Sequence, residues 1–182
     1  EALSRESSFL APRFELGLSE LRRGRGAEAL RHFGQVADRI PFYGEVHLLM
    51  GDIYFQREAY RDAASHFERA LETSFLDKNS RYLVYIKIAT ARYNTRDFEK
   101  SKEHLASALK LNAASREALL MLSAINISEE NYREALASLE KAHKLDPDDT
   151  EVIFQTASIH YRLGDARHIP EFDRLFDLSE EE

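Results

Sequence analysis

The stretch "MGDIYFQREAYRDAASHFERAL", residues 50–71, decides the fold. It sets Gly51, Tyr54, Ala63, Phe67 and Ala70 apart by steps of three, nine, four and three. A lone amphipathic helix needs neither a glycine near its start nor small residues held so far apart. Two helices folded against each other do. Small side chains at Gly51, Ala63 and Ala70 let the helices approach closely, and Tyr54 and Phe67 fill the space beside the contact, as ridges fill grooves. The nine-residue step carries the chain across the turn between them.

The same demand recurs along the chain. Shifted back by 34, the pattern meets Gly17, Ala29 and Phe33 and ends at Pro41; shifted forward by 38 it meets Ala89, Leu105 and Ala108. A further 34 gives Ser123, Ala135, Leu139, Ala142 and Pro147, and one more gives Ala157 and His160, after which "YRLGDARHIPEF" departs from it. A helix-turn-helix unit repeating every 34 residues with this grammar resembles the tetratricopeptide repeat (TPR) family. The resemblance implies an all-α fold, a right-handed α-α superhelix of about four and a half helical hairpins, in a single domain over residues 1–182. Units fall at about 10–43, 44–77, 82–115 and 116–149, with a further first helix at 150–163. Each unit alone leaves an apolar face bare, so stability comes from stacking on neighbours.

Details of the pattern carry expectations of their own. Asn131 with Glu134 reads as a capping box. Four extra residues separate the second and third units, where "SFLDKNSR" extends a helix or a loop and Phe75 stands in place of the usual proline. The third unit is loose, with Ala89, Arg92 and Ser101 at the signature positions. "DARHIPEFDRLFDLSEEE" reads as a capping helix at about 168–178, begun by Pro170 as its first residue, with Phe172, Leu175 and Phe176 on one face.

Composition narrows the function. The 182 residues carry 43% apolar and 31% charged side chains, as a globular chain does. There are no cysteines, which removes disulfides, thiol catalysis and Cys-ligated zinc. No apolar run approaches the roughly 20 residues that span a bilayer, and the opening "EALSRESSFLAPR" lacks the layout of a signal peptide. The missing initiating Met reads as a processed or excised chain with neighbouring segments removed. The sequence leaves the compartment open, with the cytoplasm slightly favoured. Net charge is −7, concentrated beyond Asp146, where 11 acidic residues face 3 basic ones. A nucleic-acid binder needs the opposite, a basic face.

The TPR resemblance implies that first helices line a concave surface where partners bind. Unit positions five, nine and twelve share a helix face. Position five is Phe14, Leu48, Ile86, Leu120 and Phe154; position twelve is Leu21, Phe55, Tyr93, Ile127 and Tyr161. Position nine is Leu18, Asp52, Thr90, Ala124 and Ser158. The expected binding residues are Phe14, Leu18, Leu21, Leu48, Asp52, Phe55, Ile86, Tyr93, Leu120, Ile127, Phe154 and Tyr161. Two apolar stripes with an acidic rim (Glu45, Glu117, Glu151) suit an apolar or amphipathic segment with basic flanks. The competing reading is that these side chains only pack one repeat on the next. Tyr93 and Phe55 are expected to face the partner, so that truncating both leaves helical content and melting nearly unchanged. Clamps for C-terminal carboxylates in this family need cationic and amide donors at positions two, five, six and nine; here only Lys87 fits.

The sequence thus predicts a non-enzymatic adaptor that binds a protein or peptide, with no cofactor, metal, nucleic acid or membrane insertion. A chaperone shielding an apolar segment of an exported or assembling client is the alternative. Phe172, Leu175 and Phe176 offer a route to self-association. His32, His66 and His104 recur at one unit position and read as a solvated stripe, because repeats stacked about 10 Å apart cannot share one metal. "RRGRG" (22–26) reads as a solvated turn, and Asn126-Ile-Ser128, a glycosylation sequon, falls inside a helix.

Overall fold

The computed structural model of the chain describes residues 2–73 and 75–180, with side chains described from residue 10 to 178 apart from residue 168. Among the described residues all regular structure is helical: α1 (Ala2–Arg22), α2 (Gly26–Arg39), α3 (Gly44–Gln56), α4 (Tyr60–Thr73), α5 (Lys78–Asn94), α6 (Phe98–Leu111), α7 (Arg116–Ser128), α8 (Tyr132–Leu145), α9 (Thr150–Arg162) and α10 (His168–Glu180). The chain divides into two compact units, Glu1–Ser101 and Lys102–Glu182.

Close approach of two helices is what each hairpin is built on. Gly17, Gly51, Ala89, Ser123 and Ala157 are all buried, as are Ala29, Ala63, Ser101 and Ala135, twelve residues after the first four. The tolerance is small. A Cβ on Gly17 would stand 2.5 Å from the Phe33 ring, and one on Gly51 2.6 Å from the Phe67 ring. Where the first helix carries Ser123 instead of glycine, the second carries Leu139 instead of phenylalanine, and the sequence makes the same exchange at Ala89 and Leu105. An added β-carbon is matched by a thinner side chain. Ser101 fits the small-residue slot because its hydroxyl donates to the Ala89 carbonyl oxygen at 2.8 Å, so its own buried oxygen is paired.

Every hairpin turns through one left-handed residue. Gly24, Glu58, Arg96, Glu130 and Gly164 have φ between 59° and 73°. At each turn the next amide reaches back to the first helix: Arg25 to Glu20 O, Ala59 to Tyr54 O, Asp97 to Arg92 O, Asn131 to Asn126 O and Asp165 to His160 O, at 2.8–2.9 Å. These are six-residue closures that satisfy carbonyls the helix end would leave open. Their spacing of 34, 38, 34 and 34 is the sequence repeat itself. The stretch from Tyr161 therefore does not leave the pattern. Gly164 turns a fifth hairpin, and α10 packs on α9 as its second helix. Pro170 is the third residue of α10, not its first, still within the turn whose amides need no partner.

Helix starts differ in detail from expectation. Asp77 caps α5, accepting from the amides of Asn79 and Ser80 at 2.8 and 3.0 Å, and Ser115 caps α7 at the Ala118 amide. The expected capping box at Asn131 does not form: Asn131 instead donates from Nδ2 to Glu129 Oε2 at 3.2 Å and makes no side-chain cap. The four inserted residues become one more turn of α5, which has 17 residues where α3, α7 and α9 have 13. Residues 75–77 are irregular and Phe75 is exposed. Two residues of the C-terminal stretch, 181 and 182, lie outside the described residues.

In the first unit Phe33 and Val36 of α2 close over Val46, Met50 and Ile53 of α3, and Ala63, Ala64 and Phe67 of α4 over Val84, Ile88 and Ala91 of α5. In the second, Leu139 and Ala142 of α8 pack with Leu119 and Leu120 of α7 and Val152 and Ile159 of α9. Each cluster joins a second helix to the first helix that follows.

Gly51→Ala is expected to lower stability by about 1–3 kcal/mol, the range for overpacking a filled site, read from the shift of the urea midpoint. Glu130→Gly is expected to raise it by up to about 1 kcal/mol, since the left-handed strain of a β-carbon outweighs glycine's entropy there; a lower midpoint would show that the turn is unstrained.

Candidate protein-binding surface

Each expected binding residue can be placed from its own hairpin upward. In the first unit Phe14 is half-buried, its ring 5.9 Å from Phe33 and 5.5 Å from Tyr43, and Leu18 and Leu21 lean on the same cluster. Leu48 and Phe55 lean on the α4–α5 cluster, Phe55 with its ring 5.5 Å from Tyr60 and 6.4 Å from Phe67. Tyr93 lies 5.7 Å from Phe98. Ile86 is only 5% exposed and Leu120 7%. Those two leave the expected surface, because in their repeats position five is enclosed by packing. Ile127 is half-buried against the α7–α9 cluster.

The expectation for Phe55 and Tyr93 also changes. Both touch aromatic rings of their own hairpins, so truncating them removes core contacts together with any surface. Loss of binding in that double variant would not separate the two roles.

Phe154 and Tyr161 of α9 are different. They are 56% and 66% exposed, and Ser158, half-buried, lies between them on the same stripe. Asp149 fixes this helix: it caps α9 at the amides of Glu151 and Val152 and forms an ion pair with Arg116 at the start of α7, whose Nη2 also reaches Glu151 at 3.1 Å. The Arg116 guanidinium holds the Asp149 carboxyl below the usual carboxylate range. At the other end His160 Nδ1 pairs with Glu171 Oε2 at 2.9 Å, tying α10 to α9.

Charge along the first helices is largely spoken for. Asp52 receives Lys87 Nζ at 2.5 Å, and the same ammonium sits 5.5 Å from the Phe67 ring centroid. The one donor that could have joined a carboxylate clamp is thus engaged. Glu45, Glu117 and Glu151 are exposed. Arg92, which replaces the tyrosine of the signature, reaches Glu68 on α4 at 2.6 Å.

The histidine column is not a solvated stripe. His32 is buried, while His66 and His104 are half-buried, because the position lies along the hairpin seam. His66 stacks on Tyr54, ring centroids 5.3 Å apart, and its Nδ1 lies 2.9 Å from His47 Nδ1. The Nε2 of His47 faces the Pro41 carbonyl oxygen at 3.0 Å and must donate to it. His47 Nδ1 is therefore the acceptor and His66 Nδ1 the donor. Burial, then His47, lower the His66 pKa to about 4. Among the described residues no three His, Cys, Asp or Glu side chains gather to hold a metal ion, and no helix is long and apolar enough to cross a membrane.

A cavity of about 760 Å³ lies between α8 and α10, floored by α9. Leu136 and Ile153 give it an apolar base, and Arg133, His143 and Arg174 its rim. No sequence signal could have located it, since it depends on how α10 lies against its neighbours.

A sequence profile described as "Tetratricopeptide repeat" matches residues 14–76 and 86–150, more than two thirds of the chain. The chain belongs to the tetratricopeptide repeat family. Solved TPR structures share its architecture. Crystalline MamA matches at a TM-score of 0.81 with 18% identity, over 94% of this chain and 92% of that one. MamA from Desulfovibrio magneticus RS-1 matches at 0.77 with 17% identity, covering 95% and 96%. YrrB, described as a TPR protein with an unusual peptide-binding site, matches at 0.77 with 16% identity, covering 97% and 90%. These likenesses establish the fold. No curated protein matches the sequence.

The His66 environment gives a pH dependence. With the folded pKa near 4 and an unfolded value near 6.5, the unfolded chain binds more protons between them, so stability falls as pH drops through that window. Melting curves at pH 7 and 4.5 should show a smaller loss for His66→Gln than for the parent chain; equal losses would remove His66 as the cause.

Proposed function

We propose that this chain is a non-enzymatic adaptor that binds an apolar or amphipathic protein segment along the first-helix face of its repeats. The observation that carries the reading is the pair Phe154 and Tyr161, more than half exposed on one stripe of a helix that is capped and ion-paired into place. Large aromatic side chains with a small residue between them give a partner contact area at little conformational cost. The equivalent positions in the preceding repeat, Leu120 and Ile127, are enclosed or half-enclosed, so the accessible part of the face in the second unit is α9. The peptide-binding site named for YrrB is a precedent for such use of this fold. The acidic rim residues favour a segment with basic flanks.

A photo-crosslinking amino acid at Ser158 should give a discrete protein adduct in cells, lost when Tyr161→Ala is added. The same probe at Lys141, on the exposed side of α8, should not give it. Equal adducts from both sites would refute the α9 face.

A further inference from the structure

The cavity between α8 and α10 is a second site, apart from the α9 stripe. Its two walls carry the same repeat positions: Arg133, Leu136 and Glu140 on α8, and Arg167, Pro170 and Arg174 34 residues further on. The floor is Ile153, Thr156 and His160, on a different side of α9 from Phe154, Ser158 and Tyr161. Most polar groups of this lining are already engaged. Arg174 pairs with Asp148 of the α8–α9 loop, Arg167 with Asp165, Glu140 with Lys144, and Glu171 with the buried His160. Thr156 donates its hydroxyl to the Val152 carbonyl oxygen at 2.8 Å. Among the described residues, Arg133 is the one arginine of the lining without a carboxylate partner. His143 stands at the far end, ten residues along α8 and so about 15 Å away.

We propose that this cavity binds a small amphipathic monoanion, a single-chain aliphatic carboxylate, with its head on Arg133 and its chain along Leu136, Ile153 and Pro170. The volume of about 760 Å³ falls within the range of roughly 300–1,000 Å³ usual for small-ligand sites. Arg133 selects the head, since a guanidinium takes a carboxylate through two parallel N–H bonds. A second negative charge would find Glu140 and Glu171 on the lining and no further unpaired arginine among the described residues. The tail follows from what the lining lacks. An extended peptide would bring an N–H and a C=O per residue into a cavity whose own donors and acceptors are mostly taken. Polar groups left unmet there are costly to bury. A hydrocarbon chain brings none of them and covers the aliphatic base.

The probe is dodecanoate, added to the full chain below its micelle concentration and followed by isothermal titration calorimetry. One molecule should bind per chain, saturably. Arg133→Gln should weaken binding at least tenfold, whereas uncharged dodecanol should bind weakly and equally to both chains. Ala137→Trp should weaken dodecanoate binding as much, because Ala137 lines the cavity from an exposed position on α8 where a large side chain disturbs no core contact. Circular dichroism checks the fold of each variant. Arg162→Gln, at an exposed arginine of α9 outside the lining, should change nothing. The proposal is overturned by an absence of binding, by undiminished binding in Arg133→Gln or Ala137→Trp, by an equal loss in Arg162→Gln, or by dodecanol binding as tightly as dodecanoate. It is also overturned if a peptide of residues 171–182, acidic and amphipathic, displaces dodecanoate at equal concentration, since a protein segment is then the better occupant.

Discussion

The constraint on which the structure rests is the distance between two helices at one point of contact. Gly17 against Phe33 and Gly51 against Phe67 leave no room for a single carbon, and the Ser123–Leu139 hairpin reaches the same fit by exchanging volume across the seam. Interiors are close-packed, so such exchanges are tolerated where the sum is preserved. Fixing this contact fixes the angle at which each hairpin leaves its turn. The following first helix then finds its aliphatic positions facing the same aromatic or leucine.

Much of this was legible in the sequence because it depends on residue size at fixed intervals. The period is written in the small residues, and the left-handed turns follow it residue for residue. What escaped the sequence depends on neighbours that spacing does not name. Glu58, Arg96 and Glu130 occupy left-handed turns without being glycine, so composition alone does not mark them. Asn131 has the right type and offset for a cap, yet its side chain prefers Glu129. The histidines at one repeat position looked solvated because their residue type is polar, whereas the seam stacks His66 on Tyr54 and bonds it to His47.

The binding face was legible as a set of positions and only partly as a surface. Position five holds similar side chains in every repeat, but Ile86 and Leu120 are sealed by packing while Phe154 is open.

The four-residue insertion before α5 separates what is rigid in this architecture from what is elastic. From Gly17 to Ala29, Gly51 to Ala63, Ala89 to Ser101 and Ser123 to Ala135 the chain always spends twelve residues, whereas the stretch from Phe67 to Ala89 runs four longer than its counterparts. Added there, a full turn advances the backbone by about 6 Å and nearly restores its heading. A hairpin is therefore an indivisible module, and growth, splicing or grafting belongs in the joints, in increments that bring a helix back to the side from which it started.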